Sequence, residues 1–237
     1  GLVVACATGA VRLSGLRDID GASVCPKTLT AVRLDSPGDA AQDITAAIAK
    51  AAPLEGALRR ALAGVTALDL PQAKPVSGPA DWQSLPLSTG LTADRALFAL
   101  ALGVARALGQ QSASLACATT IQSRYLSGWT PLQIDCADSL SAAEAAFASS
   151  LAAARDSAGF AVDLPLRDPA LTGLKMPSIA LSAMAQPVSG SVMTLTPDTL
   201  LFDASRLTAA EARAFAARLT TLATALPDAA PETLCAD

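Results

Sequence analysis

The segment that most restricts the fold is the apolar run from Ala96 to Leu108, bounded by Arg95 and interrupted by Arg106. A membrane-spanning helix needs roughly 20 apolar residues, so this run is too short to cross a bilayer and is predicted to be a buried core helix. Thr92 precedes it and Gly109 follows, which predicts a helix over 92–108 stopped at the glycine. Aromatic residues make up only 3% of the 237-residue chain, against 51% hydrophobic residues. The core volume must therefore come from Leu, Val, Ile and Ala, and Ala and Leu favour helices.

Further elements surround that helix. Asp39-Ala-Ala-Gln42 has the capping-box pattern, with Ile44 and Ile48 one turn apart and an end near Pro53. Leu54, Leu58 and Leu62 stripe a second helix. Ser141-Ala-Ala-Glu144 repeats the box ahead of Phe147 and Leu151, stopping before Gly159. Thr208-Ala-Ala-Glu211 opens a last helix with the stripe Phe215, Leu219, Leu222 and Leu226. Strands are predicted at Leu2–Ala7, Ala10–Leu16, Thr28–Leu34, Ser114–Thr119, Leu132–Cys136, Ile179–Ala183, Ser191–Thr196 and Thr199–Phe202. Residues 70–86 carry Pro71, Pro75, Pro79 and Pro86 with Gly78, and are predicted to be a linker-like loop. Helices lie between non-adjacent strands, so the predicted class is α/β, a mixed sheet with packed helices.

The chemistry is restricted by what is missing. There is no histidine in the chain. Cys6, Cys25, Cys117, Cys136 and Cys235 are widely spaced, without a Cys-x-x-Cys pair. They are expected to be reduced and unligated, as in a cytoplasmic protein. No metal or cofactor is expected. The carboxylates Asp18/Asp20 and Asp135/Asp138 read as solvated loop charge rather than a cation site. Lys27, Lys50, Lys74 and Lys175 do not fall in a Ser-x-x-Lys pattern, and no phosphate-binding glycine loop is present. With 17 basic against 21 acidic residues and no basic patch, no nucleic-acid partner is expected. Trp82 and Trp129 are either interface anchors or packing residues, packing being preferred. Ala5-Cys-Ala-Thr8 recurs as Ala116-Cys-Ala-Thr119, a match that chance supplies in an alanine-rich chain. The apolar start Leu2–Ala5 lacks a basic segment before it, so no signal peptide is expected, and Gly1 reads as a fragment boundary.

Several segments, taken in order, are similar to the C-terminal lobe of condensation domains in nonribosomal peptide synthetases. Leu58 to Pro71, ending Ala67-Leu68-Asp69-Leu70-Pro71, looks like the family's inter-lobe segment. Ala96–Leu108 with Gly109-Gln110 resembles its long buried helix and turn. Ala118-Thr119-Thr120-Ile121-Gln122-Ser123-Arg124 resembles its Gly-Thr-x-x-x-x-Arg segment, with Ala118 in place of the glycine. Thr130-Pro131-Leu132-Gln133 looks like a shortened Thr-Leu-Pro-Leu-Arg strand, with Gln133 in place of the arginine. Leu201-Phe202-Asp203 and the last helix resemble its Leu-Phe-Asp ending. The resemblance implies half of a chloramphenicol-acetyltransferase-like condensation fold. Gly1 to Leu13 separately resembles part of the C-terminal barrel of methionyl-tRNA-type formyltransferases. The expected organisation is a short β segment over 1–35, a helical linker region over 36–84 and a condensation-like lobe over 85–237.

Bond-forming members of the family use His-His-x-x-x-Asp-Gly, which lies in the other lobe. Here Asp20-Gly21 matches only the tail of that motif, with Gly15 and Leu16 where the histidines would stand. A positioned base is worth roughly 10²–10⁴-fold in rate. The chain is therefore expected to have no catalytic, cofactor-binding or metal residues of its own. The expected role is a non-catalytic scaffold or interaction domain of a cytoplasmic peptide-synthetase-like assembly line, contacting a neighbouring adenylation or carrier domain. The alternatives are a half-acyltransferase completed by a histidine from another chain, or an acyl- or aminoacyl-binding module.

Overall fold

The computed structural model describes residues 2–18, 22–28, 39–66, 68, 70–121, 123–136 and 139–226. At its centre is a six-stranded sheet in the order β3-β8-β7-β6-β4-β5. The strands are β3 (Trp82–Pro86), β4 (Ser112–Ala118), β5 (Trp129–Asp135), β6 (Ile179–Leu181), β7 (Met193–Leu195) and β8 (Thr199–Asp203). β4 pairs parallel with β6, and β6 with β7; the other pairs are antiparallel. The mixed sheet predicted from the sequence is thus present.

Alternation along each strand gives the sheet two faces. Leu115, Cys117, Leu132, Ile134, Leu181, Met193 and Phe202 point into the larger core. There they meet α3 (Ala93–Ala107), α4 (Leu140–Asp156) and α6 (Ala209–Ala225). Every residue of α3 from Ala96 to Ala105 is buried. Removing a leucine such as Leu97 or Leu100 from water stabilises by roughly 1.5–3 kcal/mol. Gly109, at φ +65°, ends α3, and the Gln110 N–H reaches back to the Ala105 carbonyl at 2.9 Å. Phe98 of α3 meets Phe147 of α4 with ring centroids 5.5 Å apart. Outside this contact Arg155 pairs with Asp94 at 2.7 Å and Arg95 with Glu144 at 3.2 Å.

The second face is covered across β5, β4, β6 and β7, where Trp129, Ala116, Ala180 and Thr194 are buried, and only partly across β8 and β3. Ala116, Trp129 and Ala180 lie in a smaller core with Leu62 of α2 (Glu55–Ala63), Phe160, Leu171, and Leu164 of the short α5 (Leu164–Arg167). Arg59 of α2 pairs with the buried carboxylate of Asp168 just beyond α5. That hydrogen bond, then one from the Ala170 N–H, holds the Asp168 carboxyl below the usual carboxylate range. Across β8 and β3 the same face carries Thr199, Leu201, Trp82, Ser84 and Pro86, of which the first three are half-buried and the last two exposed.

Both sheet edges carry a proline. Hydrogen bonds from the Leu87 N–H to the Asp198 carbonyl and from the Ala204 N–H to the Asp81 carbonyl fix the bonded register of β3 at odd-numbered residues. Pro86 therefore sits where an N–H would point away from the sheet. The Cys136-to-Gln111 and Thr119-to-Gly128 bonds place Pro131 of β5 in the same position on the other edge. A residue without an N–H loses no ladder bond there.

Several local expectations change. Residues 70–86 are not all loop, because Trp82–Pro86 forms edge strand β3; five residues framed by prolines carry little alternation to read. Ser141 is not a cap: α4 starts one residue after Ser139, and Glu144 is drawn to Arg95 instead. Thr208 and Glu211 do form the capping box, the Thr208 N–H reaching Glu211 at 2.9 Å and the Glu211 N–H reaching the Thr208 hydroxyl at 3.3 Å. The buried stripe of α6 is Ala212, Ala216, Leu219, Ala223 and Leu226, with Phe215 and Leu222 half-buried beside it. α3 comes close to this helix at Gly103, where an added Cβ would lie 3.1 Å from the Leu219 side chain.

Upstream, α1 (Asp39–Ala51) runs through a 3-10 turn at Ala52–Leu54 into α2. At the start, β1 (Leu2–Ala5) and β2 (Ala10–Leu13) form an antiparallel ribbon, each shorter than predicted. It pairs Leu2 with Leu13 and Val4 with Val11, and Val3 and Val11 are exposed. A two-stranded ribbon is at best marginally stable by itself. The predicted strand Thr28–Leu34 lies, from Leu29 onward, outside the described residues.

Candidate functional site

β4 and β6 are parallel neighbours, yet the chain leaves the carboxyl end of β4 toward β5 and that of β6 toward β7, on opposite sides. Loops that diverge in this way leave a crevice at the strand ends, the usual ligand position in open α/β sheets. Its walls come from segments 123–128 and 182–189. The crevice holds about 240 Å³, lined among others by Ser123, Leu126, Ser127, Met184 and Val188. A smaller cavity of about 50 Å³ adjoins it, between Cys117, Leu97, Leu151 and Arg155, and shares Ala118 and Ser182 with the crevice.

The hydroxyls of this site hold its loops together. Ser127 donates to the Trp129 carbonyl at 2.6 Å and accepts from the Phe160 N–H at 3.2 Å. Gly159, at φ +80°, makes this possible, since a Cβ there would stand 2.7 Å from the Ser127 oxygen. Ser182 donates to the Met184 carbonyl at 2.8 Å. Thr119 donates to Ile121 and Thr120 to the Arg155 carbonyl, both at 3.3 Å. Ser191 donates to the Val188 carbonyl at 2.8 Å and meets Thr194 at 3.1 Å. Burial pushes the Cys117 thiol up to about 11 against the opposing pull of Arg155. A buried thiol of this kind is a poor nucleophile. Arg155 is engaged by Asp94, and Arg124 stacks on Tyr125 at 5.2 Å. The chain has no histidine to serve as a base beside these hydroxyls. The crevice can enclose an uncharged chain, and the Ser127 and Ser182 hydroxyls in its lining are committed to structure.

The residues behind the family resemblance occupy structural positions. Leu68 and Leu70 enter the larger core, and the Leu68 carbonyl accepts from the Ser178 N–H at 3.4 Å. Thr119 is buried just beyond β4 and Arg124 is exposed, as is Gln133 on β5. Asp203 of Leu201-Phe202-Asp203 is buried, accepting from the Asp81 and Ser205 N–H groups at 3.0 Å and the Ser205 hydroxyl at 2.7 Å. Burial pushes its carboxyl up, but these hydrogen bonds and nearby Arg206 hold it below the ordinary value.

Trp129 packs edge-on against Phe160 at 5.3 Å, whereas Trp82 stands on the partly covered stretch of that sheet face. The Asp18 carboxylate accepts from the Ala22 N–H at 2.8 Å and closes a turn; Asp20 and Asp138 lie outside the described residues. Among the described residues no group of three or more His, Cys, Asp or Glu could hold a metal ion, and no helix is long and apolar enough to cross a membrane. None of Cys6, Cys25, Cys117 and Cys136 is in a disulfide. The crevice itself had no signature in the sequence, because it is made by two loops that only the strand order brings together.

This arrangement is the fold of condensation domains, a mixed sheet with its helices packed against it. No family model and no curated protein matches the chain. Among solved structures it is similar to the starter condensation domain of rhizomide synthetase in complex with C8-CoA. The TM-score there is 0.57 at 17% identity, over 78% of this chain and 53% of that one. It is also similar to the X-domain from teicoplanin biosynthesis, solved in complex with OxyB, with a TM-score of 0.59 at 12% identity, over 84% of this chain and 59% of that one. The chain thus spans little more than half the length of the domains it matches.

Proposed function

We propose that this chain is a non-catalytic condensation-like scaffold or interaction domain of a cytoplasmic peptide-synthetase-like assembly line. The observation that carries the reading is the partly covered stretch of the second sheet face across β8 and β3, where Trp82 and Leu201 stand only half-buried. A sheet buries both faces unless one meets water or a partner, and exposed tryptophan is enriched where partners bind. A little under half of each matched domain has no counterpart in this chain. The lack of histidine and the internal bonding of the Ser127 and Ser182 hydroxyls support the non-catalytic half of the reading. The partner we propose is a neighbouring adenylation or carrier domain. Residues 85–237 would be the lobe, 36–84 the linker region strapped onto it, and 1–35 the end of a formyltransferase-like barrel.

A pair of assays tests this reading. The first follows product formation with an acylated carrier protein and this chain alone; turnover above background overturns the non-catalytic half. The second measures binding to an adenylation and a carrier domain expressed separately, using the parent chain, Trp82→Glu and Leu201→Glu. Binding by the parent that both variants lose supports the docking face. Absence of binding by the parent overturns the scaffold reading.

A second reading, an acyl- or aminoacyl-binding module, is favoured by the crevice of about 240 Å³ with Leu126, Met184 and Val188 in its walls. Titration with an acyl-pantetheine thioester tests it, and Val188→Trp should abolish any heat of binding. The remaining alternative, a half-acyltransferase completed by a histidine from another chain, requires turnover that appears only when that second chain is added.

A further inference from the structure

We draw no further inference here: the strongest candidate outside the crevice and the partly covered sheet face, the open groove of about 270 Å³ between the end of α2 and residues 170–175, is lined by Leu62, Val65, Leu171, Leu174 and Lys175, and nothing in the structure shows what covers it.

Discussion

The carboxylate of Asp203 accepts the backbone N–H of Asp81 at 3.0 Å, across 122 residues of chain. With the Ala204-to-Asp81 bond at 2.7 Å it pins the start of β3 to the end of β8. Asp203→Ala leaves three donors facing a void and is expected to cost roughly 1–3 kcal/mol in urea unfolding. Asp203→Asn, which keeps one acceptor oxygen, should lose less. If the two variants unfold together with the parent, the clasp contributes nothing.

The same residue sets an acid dependence. Its carboxyl titrates below the ordinary 3.8 when folded, so its contribution is complete above that value and is lost as pH falls through the lower folded one. Between pH 5 and pH 2 the parent should lose more stability than Asp203→Ala. Equal losses in thermal scans over that range would refute the assignment.

Gly159 and Ser127 are predicted to be coupled. Gly159→Ala places a Cβ in a left-handed backbone and against the Ser127 oxygen, and is expected to destabilise by about 1–3 kcal/mol. Ser127→Ala removes that oxygen together with its own bonds. In a double-mutant cycle the pair should cost less than the sum of the singles. Strict additivity would show that the close approach plays no part.

At Gly103 the helices α3 and α6 nearly touch. Gly103→Leu is expected to cost about 1–3 kcal/mol by overpacking against Leu219 and Leu222. Gly103→Ala adds helix propensity worth roughly 0.8–1.0 kcal/mol and meets only the end of the Leu219 side chain, so it should lie close to the parent. Melting temperatures in the order Leu lowest, Ala near parent, check both statements.

Thiol accessibility should divide the cysteines. In the native protein at pH 8 a soluble disulfide reagent should label the exposed Cys6 and Cys25 quickly, and the buried Cys117 and Cys136 only on unfolding. Titration in denaturant without reductant should find all five thiols of the sequence. Fast native labelling of Cys117 would contradict both its burial and its raised pKa.

Legibility from sequence followed the range of the interactions involved. The Thr208–Glu211 box was readable because both partners lie within one helical turn. The similar Ser141–Glu144 pattern misled because Arg95, from another helix, claims the glutamate. The last helix was placed correctly and its stripe in part: Leu219 and Leu226 are buried, but Phe215 and Leu222 are half-buried, and Ala212, Ala216 and Ala223, which complete the stripe, carry too little hydrophobicity to stand out in the sequence. β3 was missed because its order comes from its pairing with β8 and not from its own residues. The crevice was out of reach for a stronger reason, since it depends on which way the chain turns after two strands that are far apart in sequence.

The position of Pro86 and Pro131 has a consequence for crowding. At high local concentration a bare strand edge would recruit its twin and grow into a fibre. A proline at the outward register of each border strand denies an incoming chain one of the donors it would need there. Addition of a further strand at either edge of the described sheet is thereby disfavoured.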